Sequence, residues 1–325
     1  MIITSTPLRI SFFGGGSDIP QYYNKKPGMV ISTSIDRQIQ IAVNRCETSH
    51  IRAVYSEMEV VDNVENIKHT RIKEALKYFA ISNNIEICSF SDVSTKGTGL
   101  GSSSTFTVGL LNALYNQKNH YYNRKDLAET ACEIEIDKLK EPIGKQDQYA
   151  ASYGGFNIIR FDASNVEITP INVGANVLRK LNNNLMFYFT GISRNTSDIL
   201  SDQVSGIIDN ETTVFDNTTR LVDLAEDALK FLQQNKLNDF GSLLGVGWDI
   251  KKKLSIKISN PHIDEMYSTA ITAGAFGGKL LGAGGGGYLM FYVPYEAQHK
   301  VALAMSKYKK VNFNFTDKGS SVCQL

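Results

Sequence analysis

Three short segments of the chain are rich in glycine: Phe13-Gly14-Gly15-Gly16-Ser17-Asp18, Gly97-Thr98-Gly99-Leu100-Gly101-Ser102-Ser103-Ser104 and Gly282-Ala283-Gly284-Gly285-Gly286-Gly287. The chain holds 26 glycines in 325 residues, so a 14-residue window should contain about one; residues 274–287 contain eight. Glycine admits positive φ and removes the side chain that would block a ligand, and successive backbone N–H groups form a nest for an anion. The middle segment carries the clearest chemistry. Its small residues and hydroxyls stand directly before a helix marked by Phe106, Val108, Leu110, Leu111 and Leu114, so the N–H groups at the helix start would face an incoming phosphate. A tight turn explains any one cluster about as well. All three together point to a phosphate-bearing ligand, with a triphosphate as the natural guest. Helix capping alone would need one of the three serines and leaves two unexplained.

Carboxylates supply the second half of the chemistry. Glu133 and Glu135 lie ahead of Asp147, which sits in the polar turn Pro142-Ile143-Gly144-Lys145-Gln146-Asp147-Gln148. A magnesium nucleotide needs a hard oxygen ligand, and transfer to an alcohol gains from a carboxylate that orients or deprotonates the hydroxyl. The competing explanations are a solvated helix face for Glu129, Glu133 and Glu135, and a turn-closing role for Asp147.

Other chemistries fall away. No G-x-x-x-x-G-K-[ST] occurs, nor do the D-F-G and H-R-D signatures of protein kinases. Gly282, Gly284 and Gly287 satisfy G-x-G-x-x-G in spacing, but a strand-like run follows them where a dinucleotide fingerprint needs a helix. The five histidines show no H-E-x-x-H, and no G-x-S-x-G is present. The four cysteines are scattered without a C-x-x-C pair and no secretory signal opens the chain, which reads as reduced thiols in the cytoplasm. A formal charge of +1 leaves no field for nucleic acid, and apolar runs stop far short of a membrane span.

The elements that must hold these groups alternate in type. Period-two patterns at Ile39, Ile41 and Val43, and again at Ile85 and Ile87, predict strands in the first hundred residues. A second helix is expected over residues 124–140, with Asn123 as its cap and Leu127, Ala131 and Ile134 as its apolar stripe. Residues 185–190 read as a strand and the stretch to about 255 as mostly helical. Two strand-like runs flanking glycines, helices over 261–273 and 295–308 and a closing strand over 311–315 complete the chain. This is an α+β pattern of two closely packed domains, 1–180 and 181–325, with no linker between them.

With these motifs in order, the chain resembles the GHMP small-molecule kinases, named for galactokinase, homoserine kinase, mevalonate kinase and phosphomevalonate kinase. The carrying motifs are P-L-R-I-S-F-F-G-G-G-S-D at residues 7–18, G-L-G-S-S-S at 99–104 and L-G-A-G-G-G-G at 281–287. Within the family, I-G-K-Q-D-Q-Y followed by Y-G-G-F-N is most similar to the D-glycero-D-manno-heptose 7-phosphate kinases. The resemblance implies an N-terminal domain like ribosomal protein S5 domain 2, a ferredoxin-like C-terminal domain and an active site between them. It implies ATP and Mg2+, and phosphorylation of the anomeric hydroxyl of a seven-carbon sugar phosphate on the way to nucleotide-activated heptose. Ser94 or Thr95 stands where the family usually has a proline ahead of the phosphate loop.

Residue roles follow from the same match. Asp147 takes the place of the proposed base and Arg9 that of the basic residue near the reacting oxygen. Gly97, Gly99, Leu100, Gly101, Ser102, Ser103 and Ser104 would cradle the nucleotide, with Ser103 and Glu135 as magnesium ligands and Glu133 as the alternative to Glu135. Gly14, Gly15, Gly16, Ser17 and Asp18 would contact the sugar, with Gly284, Gly285 and Gly286 closing the other side. Lys145 and Arg194 are the candidates for its distal phosphate. The partners implied are ATP and a sugar phosphate, with no nucleic acid and no membrane; a homodimer stays open. Two other readings also stay open: a sugar 1-kinase of the fucokinase type, and a non-catalytic sensor on the same fold.

Overall fold

The computed structural model describes residues 1–93, 97–193, 197–208 and 212–323. The period-two patterning becomes two long antiparallel strands, Ile2–Phe13 and Gly28–Arg45, joined through the turn that carries Gly14 to Asp18 and the short helix Pro20–Tyr23. Leu8, Ile10, Ile39, Ile41 and Val43 are all buried. Gly28–Arg45 pairs at one end with Phe156–Phe161 and at the other with Ile85–Ser91, which in turn pairs in parallel with Ile51–Val54. Helix Ser102–Gln117 packs on the two long strands and is covered from behind by helices Arg124–Cys132 and Gln146–Tyr153. Covered on both sides, it is buried nearly all round.

The helix expected over 124–140 starts as predicted. Asn123 accepts from the N–H groups of Lys125 and Asp126, and Asp126 answers to the Asn123 N–H. After Cys132 the winding widens into a π turn over Glu133–Lys138. The wider turn shifts the face of the helix, so Glu135 is buried while Glu133 pairs outside with Lys138.

The second sheet is antiparallel in the order Lys309–Val311, Leu185–Phe189, Tyr288–Tyr292, Gly277–Leu280. Four helices, Ser197–Ile208, Thr212–Gln233, Leu237–Lys251 and Pro261–Thr272, follow its first strand, and Tyr295–Ala304 precedes its last. This is the ferredoxin-like order the resemblance implied. Phe12, Phe13, Phe240 and Tyr292 belong to one continuous core, with the Phe13 and Phe240 rings 5.1 Å apart and edge-on. The two units therefore share their interior.

The tail departs from the expected division. The closing strand predicted over 311–315 splits into Lys309–Val311 in the second sheet and Phe315–Thr316, which pairs with Ile35 and Ser34 of the first. Ser321–Val322 then pairs with Ser5 and Thr4. Phe315–Thr316 and Ser321–Val322 thus belong with the first sheet, where they satisfy backbone groups that would otherwise stay unpaired.

Candidate active site

A cleft of about 1330 Å³ opens between the two units, and all three glycine-rich segments contribute to its wall. At its centre lie Arg9 and Asp147. Strand Ile2–Phe13 skips a pairing position at Leu8, and the pairing resumes at Arg9, opposite Ser34, without using the Arg9 backbone N–H. The Arg9 N–H donates instead to Leu100 O at 3.1 Å, and its Nη1 donates to Gly99 O at 2.6 Å. Its Nε and Nη2 grip Asp147 Oδ1 and Oδ2 at 2.7 and 2.8 Å, a two-point pairing that fixes the carboxylate plane. Asp147 occupies the first turn of helix Gln146–Tyr153.

The phosphate loop is built against this pair. Gly101 caps helix Ser102–Gln117 in the left-handed conformation, φ 75°, and a Cβ there would lie 3.0 Å from Asp147 Oδ2. Gly99, φ 78°, is pressed so closely on the Leu281 carbonyl that any side chain would overlap it. Ser102, Ser103 and Ser104 form the first helical turn and all reach the wall, with Ser103 the most exposed. Together they place a positive helix end beside the loop.

Two lobes flank this centre. On one side Tyr55, His69 and Phe106 line the wall, with ring centroids 4.6 Å (Tyr55 to His69) and 5.0 Å (His69 to Phe106) apart. Burial, then the nearby Arg71 charge, keep His69 below its usual pKa. On the other side the turn Gly14 to Gly16 and Asp18 form the wall. Asp18 accepts from the N–H groups of Gly16 and Gln146 and from Gln146 Nε2, at 3.0 to 3.2 Å. Burial, and then the Asp147 charge, push its carboxyl pKa up.

A phosphate loop at a helix start, beside a carboxylate and between two lobes, is a phosphoryl-transfer arrangement. The GHMP kinases N terminal domain model matches residues 60–155, and the GHMP kinases C terminal model matches residues 228–311. The chain is 31% identical to a D-glycero-alpha-D-manno-heptose 7-phosphate kinase of Campylobacter jejuni subsp. jejuni serotype O:2, over 98% of this chain and 97% of that protein. The chain belongs to the GHMP kinase family. Its fold is similar to a D-glycero-D-manno-heptose 1-phosphate kinase from Bacteriodes thetaiotaomicron, with TM-score 0.83 and 23% identity over 100% of this chain and 99% of the other. It is also similar to a putative sugar kinase from Campylobacter jejuni, with TM-score 0.74 and 26% identity over 100% and 98%. As a GHMP kinase it is a phosphotransferase with ATP as donor. No helix among the described residues is long and apolar enough to cross a membrane.

Several residues expected at the site of this GHMP kinase lie elsewhere. Glu135 was expected to hold magnesium with Ser103, but its carboxylate is fully buried off the cleft wall. Oε1 accepts from Arg71 Nε at 2.9 Å and Thr107 Oγ1 at 2.7 Å, and Oε2 from Gln148 Nε2 at 2.6 Å. A carboxylate already neutralised by arginine and filled by three donors does not fit a magnesium ion. No group of three or more His, Cys, Asp or Glu suited to a metal occurs among the described residues.

Lys145 donates its backbone N–H to Asp18 O at 3.1 Å, but its ammonium rests over the Tyr23 ring, off the wall. Ser17 is buried and closes the turn, bonding Gly14 O and Met29 O. Leu100 lies in the core, with only its carbonyl serving Arg9. Of the C-terminal glycine loop, Gly282 and Ala283 reach the cleft. Gly284 packs on Ile258, the Gly285 N–H bonds Ile258 O, and Gly286 sits against Ile192. These three hold the loop and are not wall residues. Arg194 lies outside the described residues, as do Ser94 and Thr95.

The structure adds wall residues that spacing did not reveal: the aromatic set, Arg71 with Glu141, and two lysines, Lys251 and Lys279. A lysine in a sequence reads as surface by default. The one available signal was that Lys279 falls inside an otherwise apolar and glycine-rich strand.

Proposed function

We propose that this kinase transfers the γ-phosphoryl group of ATP to the anomeric O1 of D-glycero-D-manno-heptose 7-phosphate, giving the 1,7-bisphosphate. The observation that carries the reading is the Arg9–Asp147 pair, set against the phosphate loop at the junction of the two lobes. Identity over nearly the full length of a heptose 7-phosphate kinase supports the choice of acceptor.

In this reading the base of ATP occupies the lobe of Tyr55, His69 and Phe106, and its phosphates lie along residues 97–104, with magnesium arriving as part of the nucleotide substrate. The sugar lies against Gly14 to Gly16, where Asp18 accepts from its hydroxyls. Its O1–H donates to Asp147, which aims the oxygen at the γ-phosphorus. As the O1–P bond forms and the bond to the β-phosphate oxygen breaks, the hydroxyl proton passes to Asp147 and ADP leaves. Arg9 holds Asp147 in place and offsets charge on the transferring group, so positioning and electrostatics carry most of the acceleration.

The test is ADP release from MgATP with the heptose 7-phosphate, the unphosphorylated heptose, mannose, fucose, galactose and mevalonate. Strong preference for the heptose phosphate is expected, with phosphorus NMR locating the new phosphate on O1. Preference for fucose or mevalonate would overturn the acceptor, and absence of turnover with all six would overturn the reading.

A further inference from the structure

The cleft wall holds two lysines that the transfer step described above leaves unused. Lys279, on strand Gly277–Leu280, is buried and donates to Ser11 O at 3.0 Å and Phe12 O at 2.7 Å. Lys251, the last residue of helix Leu237–Lys251, donates to Leu280 O at 3.2 Å and to Gly282 O. Both reach the cleft wall, and neither forms an ion pair with a carboxylate among the described residues. Protein surrounds the Lys251 ammonium deeply, yet the residue keeps contact with solvent inside the cleft.

Two ammonium groups bonded only to carbonyls are costly in a folded protein, because each gives up hydration without gaining an opposite charge. Such a pair makes sense when a ligand brings the missing anion. The nucleotide's phosphates already have the loop and helix start. Lys251 lies one helical turn beyond Gly247, which faces the Phe13 ring next to Gly14. The backbone partners of Lys279, Ser11 and Phe12, lie just ahead of the Gly14 to Gly16 turn. With Lys145 turned onto Tyr23, this side still needs a cation for an anionic acceptor.

We propose that Lys251, backed by Lys279, binds the phosphate carried by the acceptor. The proposal rests on the functional reading above only in naming a sugar phosphate; the site itself requires any phosphate monoester or inorganic phosphate.

A distinctive signature follows from the surroundings. Burial, then the charge of Arg9, lower the Lys251 pKa to about 7. Burial, then Lys251 and Arg9, take Lys279 well below its usual value. The charged group that faces both is Arg9 from strand Ile2–Phe13, and Lys279 also faces Lys251. At pH 8 the empty site therefore holds Lys251 mostly neutral. A bound phosphate dianion favours its ammonium form, so binding takes up a proton.

The experiment is calorimetric titration of inorganic phosphate into the full chain at pH 8, in buffers of different ionisation heat. The β,γ-imido analogue of ATP is present at saturation to fill the nucleotide side. Wild type is expected to bind phosphate with net proton uptake. Lys251→Met should weaken binding by at least about 10-fold and lose the uptake, while Lys251→Arg, always charged, should bind without uptake. Retained analogue binding in both variants shows that they fold. In turnover, Lys251→Met should cut the preference for phosphorylated over unphosphorylated heptose by about 100-fold. Equal phosphate affinity or equal uptake in wild type and Lys251→Met would overturn the proposal. So would a fall in turnover that is the same for both sugars, which would place Lys251 on the transferring group. Because the phosphate titration uses no sugar, a different acceptor would overturn the heptose assignment and leave this site standing.

Discussion

Two arginine–carboxylate pairs flank the phosphate-loop helix, and they differ in what surrounds them. Arg9 holds Asp147 with two hydrogen bonds, and the Asp147 side chain keeps 21% of its surface exposed, on the cleft wall. Arg71 holds Glu135, whose side chain has none exposed and takes further bonds from Thr107 and Gln148. Pairing with arginine therefore does not by itself mark a carboxylate for chemistry. The two differ in access and spare acceptor capacity: Asp147 has solvent and glycine on its open side, whereas Glu135, on the π turn, has used its capacity on Arg71, Thr107 and Gln148 from three different helices. One pair faces the cleft, and the other holds the frame around it.

The sharpest way to break this contrast is to neutralise each carboxylate. Asp147→Asn should lower kcat by about 10³-fold, the scale of a lost proton acceptor, while nucleotide affinity stays as it was. Single-turnover ADP release and nucleotide titration check this, and unchanged turnover would remove Asp147 from the reaction. Glu135→Gln should act the other way, costing about 3 kcal/mol of stability because Arg71 is left in the interior with Glu141 alone. Denaturant unfolding measures that cost. Below the melting range the variant should keep its dependence on magnesium concentration; a strong rise in the magnesium requirement would return Glu135 to the metal and erase the contrast.

How far this contrast could be read in advance depends on how local each feature is. The glycine segments were legible because consecutive residues spell them, and Asn123 as a cap because its partners lie two and three residues on. Arg9 and Asp147 could each be singled out by motif, but their contact spans 138 positions and only folding creates it. Glu135 was assigned to magnesium by its match to the family motif, which says nothing of the Arg71, Thr107 and Gln148 donors that fill its carboxylate. Lys251 and Lys279 escaped notice because composition cannot tell a buried ammonium from a solvated one. The tail was counted with residues 181–325 because strand propensity says nothing about which sheet a strand will join.

The finest test of the contrast lies at its boundary, in Glu141. It shares Arg71 with Glu135 but reaches the cleft wall, so it stands between the framework and the site. Burial raises its carboxyl pKa, Arg71 opposes that rise, and the Glu135 charge adds to it. A raised carboxyl pKa means that the folded chain holds the proton more tightly than the unfolded chain. Its contribution is thus most favourable below the unfolded value and declines as pH rises through the folded one. Glu141→Gln removes that decline. The stability of the variant relative to wild type should therefore rise as pH climbs through the carboxylate range into neutrality, by less than the loss in Glu135→Gln. Paired denaturant melts across that range measure it. A difference that runs the other way would mean that Arg71 favours the Glu141 charge more than burial opposes it, and Glu141 would then belong to the framework beside Glu135.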